Sequence, residues 1–363
     1  MGIRSFWHGT ALGRAITNTF WKVMAADVIG LCKFDSHPEM AKLKPWTEAF
    51  YTGCSFSILN YDTDFFELIR NGTVKVHIAD ISHLSPHKVH LADENKTVLD
   101  SDAFLCVSGW KHIPPLKFLP EGIEKELGLP HLPPKEPSPD DLASQSALFD
   151  RADKEILSRF PRLRDVPVFN KNYVPLSEQK AFSDGNADHD SDDTAVEITP
   201  TTPLTPMLLY RFMTPPQPRF LRAKDIAFSG YSMNFSNSTT AHIEGLWISA
   251  FFDGRLARDP SAAVADGKDV TGEFRPTVED LQYRTVLHNR TGKWRYPSDY
   301  GEKYPDFIFD AVPYMDMLLA DMGLEVHRKK GWFSEMTAPY GPEDYIDIND
   351  EWNRKFGANA QSS

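Results

Sequence analysis

At 363 residues, 41% of them hydrophobic, the chain is long enough to bury a substantial core and has the length of about two domains. A net charge of -12 and a pI near 5.5 exclude a general binder of nucleic acid or anionic membrane, which needs a basic face to neutralise phosphates. Cys32, Cys54 and Cys106 are an odd, widely spaced set that draws neither a disulfide framework nor a CxxC metal knuckle, so a reducing, cytoplasmic setting is expected.

Ile3 to Gly30 is aromatic-rich and helical in period. Arg14, Lys22 and Asp27 interrupt the segment Ala11 to Phe34, so it reads as an amphipathic core helix and not a membrane span. No basic region followed by an apolar stretch of secretory type opens the sequence, and the sequons at Asn71, Asn95, Asn234, Asn237 and Asn289 are read as chance. Asp62 is expected to cap a short helix through Arg70. Four β-prone runs follow, Val74–Ile81, Lys88–Leu91, Thr97–Leu99 and Ala103–Val107, with Cys106 read as a buried strand residue.

Beyond Trp110 a series of prolines from Pro114 to Pro139 breaks any long element and suggests a crossover. A helix over Asp140–Phe160 with Leu148, Ile156, Leu157 and Phe160 on its apolar side comes next. Residues 177–206 are acidic and rich in Ser, Thr, Gly and Pro, too polar to bury themselves, and are expected to form a mobile surface loop.

Lys224–Gly254 is the stretch around which the chain is organised. Asp225–Ser229 is a short apolar run ending at Gly230, followed by an Asn- and Ser-rich turn. Ser238 or Thr239 is placed to cap a helix carrying Ile243, Leu246, Trp247, Ala250 and Phe251 at three- and four-residue spacing, with Gly254 as its stop. A strand entering a helix N-terminus through a glycine turn suits an anionic or electron-rich ligand, although the same pattern serves many plain packing units. Helices over Thr277–Arg290 and Asp306–Met322 follow, the second capped by Asp306, stopped by Gly323 and kinked at Pro313. Pro342-Glu343-Asp344 opens the last helix.

No two glycines are separated by a single residue, so the Gly-x-Gly-x-x-Gly dinucleotide motif is absent, as is the Gly-x-x-x-x-Gly-Lys P-loop. His83, His87 and His90 surround Pro86 at a spacing that fits surface histidines better than metal ligands. Glu335, Glu343, Asp344 and Asp347 could form a carboxylate pair for acid–base work, but a solvated helix start is the better reading.

Two segments carry a resemblance: Ser101–His112 (SDAFLCVSGWKH) and Lys224–Gly254, supported by HNRTGKWRYPSDYG, PDFIFDAVPYMD and APYGPEDY in the tail. Together they resemble the fungal-type flavin-dependent monooxygenase-like oxidoreductases. In that family a strand ending in Ala-Thr-Gly-Trp closes the nicotinamide-binding region; here Val107 and Ser108 depart from Ala-Thr, and Ser108 keeps the hydroxyl. The later stretch is similar to the family's last strand and helix, whose turn faces the flavin, with Glu244 and Gly245 where glutamine and alanine are common.

The resemblance implies an α/β fold, part of a two-dinucleotide-binding-domain flavoprotein with a helical C-terminal tail. Residues 1–112 would be the C-terminal part of a nicotinamide-binding-like domain, 113–223 a Pro-rich crossover, 224–275 the strand-turn-helix of the FAD-binding-like domain and 276–363 the tail. It further implies FAD and NADPH as cofactors, with Ser108, Gly109, Gly230, Tyr231 and Asn234 beside the cofactor and no nameable catalytic acid or base. The substrate would be a small organic molecule oxygenated with O2, as in secondary metabolism. Because the glycine motifs are absent, the chain is expected to be the C-terminal half to two-thirds of such an enzyme, with a partner supplying the flavin domain. The second reading is a non-catalytic remnant or interaction module.

Overall fold

In the computed structural model the chain is described over residues 2–52, 62–107, 116–134, 138–173, 204–265, 273–297, 301 and 305–357. The N-terminal aromatic segment forms two helices, α1 (Gly2–Gly9) and α2 (Ala11–Cys32). Thr10 divides them because its hydroxyl accepts the Gly13 N–H at 3.0 Å and so starts a new helix. After α3 (Pro38–Ala41), helix α4 (Phe65–Arg70) is capped by Asp64, whose carboxylate accepts from Phe66 and Glu67 N–H. The expected cap, Asp62, lies two residues too early to reach those donors.

One small antiparallel sheet follows in the order β1 (Ile81–Ser85), β2 (Lys88–Leu91), β3 (Val98–Asp100). Val89 sits opposite Leu84 on one side and Leu99 on the other. The expected strand at Val74 begins only at Ile81, and Ala103–Val107 forms none. Ladder pairing ends where Ser101 N–H donates to His87 O; beyond it Leu105, Cys106 and Val107 are exposed, which overturns the buried-strand reading of Cys106.

The rest is helical: α5 (Ile123–Leu127), α6 (Pro139–Arg159), α7 (Pro218–Ala223), α8 (Asn237–Phe252), α9 (Val278–Arg295), α10 (Ala311–Met322), α11 (Trp332–Thr337) and α12 (Ile348–Phe356). Mixed helices with one small sheet are compatible with an α/β chain. Asp225–Ser229 is not a strand: Phe228 N–H donates to Met213 O at 2.8 Å, and among the described residues no neighbouring strand continues the ladder. Thr277 and Asp280 form a reciprocal capping box for α9, which runs on to Arg295. Helix α10 starts at Ala311, so Asp306 does not cap it, and Pro313 falls in the first turn, where a missing N–H costs nothing. Gly323 stops it as expected, at φ +68°.

The principal core joins Met207, Leu209 and Met213 to Ile243, Trp247 and Phe251 of α8, Leu281 of α9, and Leu318, Leu319 and Met322 of α10. Each such side chain contributes about 1.5–3 kcal/mol by leaving water. Helix α6 packs on α9, where Asp153 accepts from Arg290 Nε at 2.8 Å and Trp294 Nε1 at 2.9 Å. A second cluster gathers Cys32, Phe34, Met40 and Ile69, and a third Tyr51, Ile156 and Leu163. Most of the acidic stretch 177–206, and Cys54, lie outside the described residues.

Candidate functional site

The turn between α7 and α8 is built around one carboxylate. Glu244 lies on α8 beside Ile243 and is 2% exposed. It accepts from Ser229 Oγ at 3.0 Å and Gly230 N–H at 3.3 Å through Oε2, and from Ser232 Oγ at 2.9 Å through Oε1. Glu244 therefore holds the turn from beneath. Gly230 has φ +85°, which a side chain rarely adopts, and a Cβ there would meet nothing within 4 Å, so its backbone faces open space.

Tyr231 packs against the principal core with its ring 6.2 Å from that of Phe228, and burial pushes its hydroxyl pKa up. Asn234 is buried; its Oδ1 accepts from Ser236 N–H at 2.7 Å and Thr240 Oγ1 at 3.3 Å, while Nδ2 finds no acceptor. Met233 pins the loop to residues 305–307 by a parallel bridge: its N–H donates to Pro305 O, and Phe307 N–H donates to Met233 O at 2.7 Å. At the start of α8 neither Ser238 nor Thr239 caps the helix, and Ser236, at the cap position, makes no side-chain capping bond. Helix α8 thus starts, a few residues after Gly230, without a side-chain cap at Ser236.

Beneath the turn lies a buried polar layer. Arg211 makes a two-point pair with Asp321, Nε to Oδ2 at 2.7 Å and Nη2 to Oδ1 at 3.0 Å, and Trp247 Nε1 donates to the same Oδ2 at 3.3 Å. Asp321 is fully buried, so its charge is balanced here by Arg211 and not by water. Arg211 and Phe212 occupy left-handed backbone, at φ 56° and 59°, in the tight turn closed by the Tyr210–Thr214 bridge. His288 sits among Phe212, Phe307 and Tyr314, where burial and the nearby Arg211 charge lower its pKa to about 3.

Of the five residues the sequence singled out, Gly230, Tyr231 and Asn234 come together in this one turn, while Ser108 and Gly109 lie outside the described residues. Glu244 was visible only as a departure from a family pattern, and Arg211, His288, Tyr314 and Asp321 were not anticipated. A charged residue at a core-facing helical position was the available signal, as with Asp321 three residues after Leu318.

The other residues weighed in the sequence lie elsewhere in the fold. His83 and His90 stack at 4.0 Å across the hairpin, and among the described residues no group of three His, Cys, Asp or Glu is arranged to hold a metal. Glu335 and Asp344 are part-buried and bonded within the tail: Glu335 accepts from Tyr340 Oη at 2.7 Å, and Asp344 pairs with Lys329 at 2.7 Å. No described helix is long and apolar enough to cross a membrane.

No family model matches the chain, and no solved structure does. Curated fungal proteins do. The chain is 24% identical over 343 residues to the FAD-dependent monooxygenase resA of Aspergillus sclerotiorum, covering 92% of this chain and 50% of that one. It is 24% identical over 367 residues to the FAD-dependent monooxygenase avaB of Aspergillus versicolor, with 96% and 46% covered. The FAD-dependent monooxygenase DEP4 of Fusarium langsethiae is 23% identical over 350 residues, with 96% and 52% covered. The chain spans about half the length of these relatives. Over nearly all of its own length, then, this chain resembles the fungal FAD-dependent monooxygenases.

Proposed function

We propose that the chain works in a flavin-dependent monooxygenase that uses FAD, NADPH and O2 to oxygenate a small organic substrate. The similarity to proteins of that name gives the class, and the Glu244-braced turn is the observation that carries the assignment to a site. The residues present fit one side of a flavin ring. Gly230 leaves its backbone open to a flat ligand, and the unpaired Asn234 Nδ2 is a donor available to a ring oxygen or nitrogen.

When bound, FAD would supply hydride acceptance and oxygen activation. The chain's own contribution is positional and electrostatic. Gly230, Tyr231 and Asn234 would lie along the ring, and the positive end of the uncapped α8 would favour negative charge near its start. Glu244 keeps the turn rigid; its own charge is taken up by Ser229, Gly230, Ser232 and Tyr314. Ser108 and Gly109 are assigned beside the cofactor by resemblance alone. So is the division into a nicotinamide-binding-like part (1–112), a crossover (113–223), a flavin-side unit (224–275) and a helical tail (276–363). This sequence has no Gly-x-Gly-x-x-Gly cradle for a pyrophosphate, so a flavin domain with that motif would supply it.

The absent glycine motif and the acidic Glu244 beneath the turn also favour a second reading, a non-catalytic interaction module. Titrating FAD with the chain separates the two. Quenched, shifted flavin that reverts in Gly230→Val and Asn234→Leu supports the site. Unchanged fluorescence at saturating protein overturns unaided binding, and capture of a stable partner by flavin-free chain then favours the module.

A further inference from the structure

A second site lies away from the Gly230 turn, and the argument for it does not rest on the flavin reading. Asn18, Lys22, Ala25, Ala26, Ile29 and Gly30 recur at three- and four-residue spacing and so share one face of α2. That face looks across a cavity of about 730 Å³ at the Lys44–Tyr51 and Arg162–Phe169 segments. The twelve steps from Asn18 to Gly30 at about 1.5 Å each give a slot roughly 18 Å long.

Where a packed interface would carry large side chains, α2 presents two alanines and a glycine, and a Cβ at Gly30 would meet nothing within 4 Å. The volume is that of a small-molecule site. Its floor is already satisfied: Arg162 donates to Asn18 Oδ1 at 2.9 Å and pairs with Glu48, its guanidinium lies 4.4 Å from the Phe50 ring centre, and Tyr51 Oη donates to Arg162 O at 2.6 Å. Those groups form a rigid base and need no ligand.

What remains to recognise a ligand is of two kinds. Ala25, Ala26, Ile29, Pro167 and Phe169 offer an apolar wall. Lys22 offers a cation that makes no hydrogen bond or ion pair among the described residues, while Lys44 is held by Asp35 at 2.8 Å. Glu48 and Asp165 also line the slot; with Arg162 taken by Glu48 and Lys44 by Asp35, Lys22 is left as the uncommitted lining cation, which suits one negative charge, and the carboxylates oppose a polyphosphate. We infer that this slot binds an elongated apolar molecule ending in a single carboxylate, with the carboxylate at Lys22 and the apolar body along Ala25, Ala26, Ile29 and Phe169.

The probe is decanoate, titrated calorimetrically into the full chain below its micellar range. One saturable site per chain is expected. Gly30→Trp, which fills the slot from its open side, should weaken decanoate more than tenfold while a cooperative melt is kept. If that variant does not fold, Ala26→Phe carries the same test. Lys22→Gln should weaken decanoate about fivefold and leave 1-decanol unaffected. Lack of saturable binding overturns the proposal, as does binding of undiminished strength in a folded slot-filling variant. So does loss of binding in Phe20→Ser, which would place the chain of the probe on the exposed outer face of α2, where Leu12, Ile16, Phe20 and Val23 lie.

Discussion

Glu244 and Tyr314 meet at 3.2 Å between α8 and α10, and the same Tyr314 hydroxyl lies 2.9 Å from the carbonyl of Arg211. One phenol thereby links the carboxylate that braces the candidate turn to the backbone of the strained turn that supplies the buried arginine. Burial, with the Glu244 charge beside it, holds that phenol pKa well above its ordinary value, so it remains a donor. Glu244→Ala would leave Ser229, Ser232 and Tyr314 without their common acceptor. A loss of about 2–4 kcal/mol in urea unfolding is expected, with Glu244→Gln closer to the parent because it keeps one carbonyl. Equal stability of the alanine variant and the parent would show that the turn stands without its brace.

The Arg211–Asp321 pair should behave as a buried charge pair does. Removing one partner, as in Asp321→Leu, strands a cation in the core and is expected to cost about 3–5 kcal/mol. The double change Arg211→Met with Asp321→Leu should recover much of that loss, because no charge is then left unpaired. Denaturation of both single variants and the double one gives the coupling directly.

Stability should fall on acidification through His288. Its folded pKa near 3 lies below the ordinary 6.5, so between those values the unfolded chain holds a proton that the folded chain does not. The His288 contribution is therefore fully present above about pH 6.5 and is lost as pH drops toward 3. His288→Phe should show a shallower acid limb than the parent in melts across that range. Parallel slopes would mean that His288 titrates normally in the fold.

Thiol labelling should separate the cysteines. Cys106 is exposed, whereas Cys32 is buried and its pKa is raised by burial. In a Cys54→Ser background, native chain should react at one thiol quickly, and Cys106→Ser should abolish that fast phase. Cys32 should react only on unfolding. A fast phase surviving Cys106→Ser would place Cys32 within reach of solvent.

What could be read from the sequence follows periodicity. Helix α8 buries Ile243, Trp247, Ala250 and Phe251, as the spacing required, and α2, α6, α9 and α10 form close to where the pattern put them. Strand formation was less legible because it depends on a neighbour. Asp225–Ser229 and Ala103–Val107 are β-prone, yet among the described residues nothing continues a ladder beside them. Gly230, Tyr231 and Asn234 could be found because a glycine turn before a helix marks itself. Arg211, Asp321 and His288 could not, since each acts through contacts between residues far apart in the sequence, as in Arg211 with Asp321, 110 positions away.

The principal core draws on Ile123 near its beginning and Ile348 near its end. During synthesis, therefore, the principal core is completed only when α12 has cleared the ribosome and Tyr345 and Ile348 can join it. At about 5–20 residues per second, the apolar faces of α8 and α9 wait for several seconds in need of chaperone cover. A premature stop before Tyr345 would leave the core without Tyr345 and Ile348, so such products should appear in cells as less stable, more readily degraded chain.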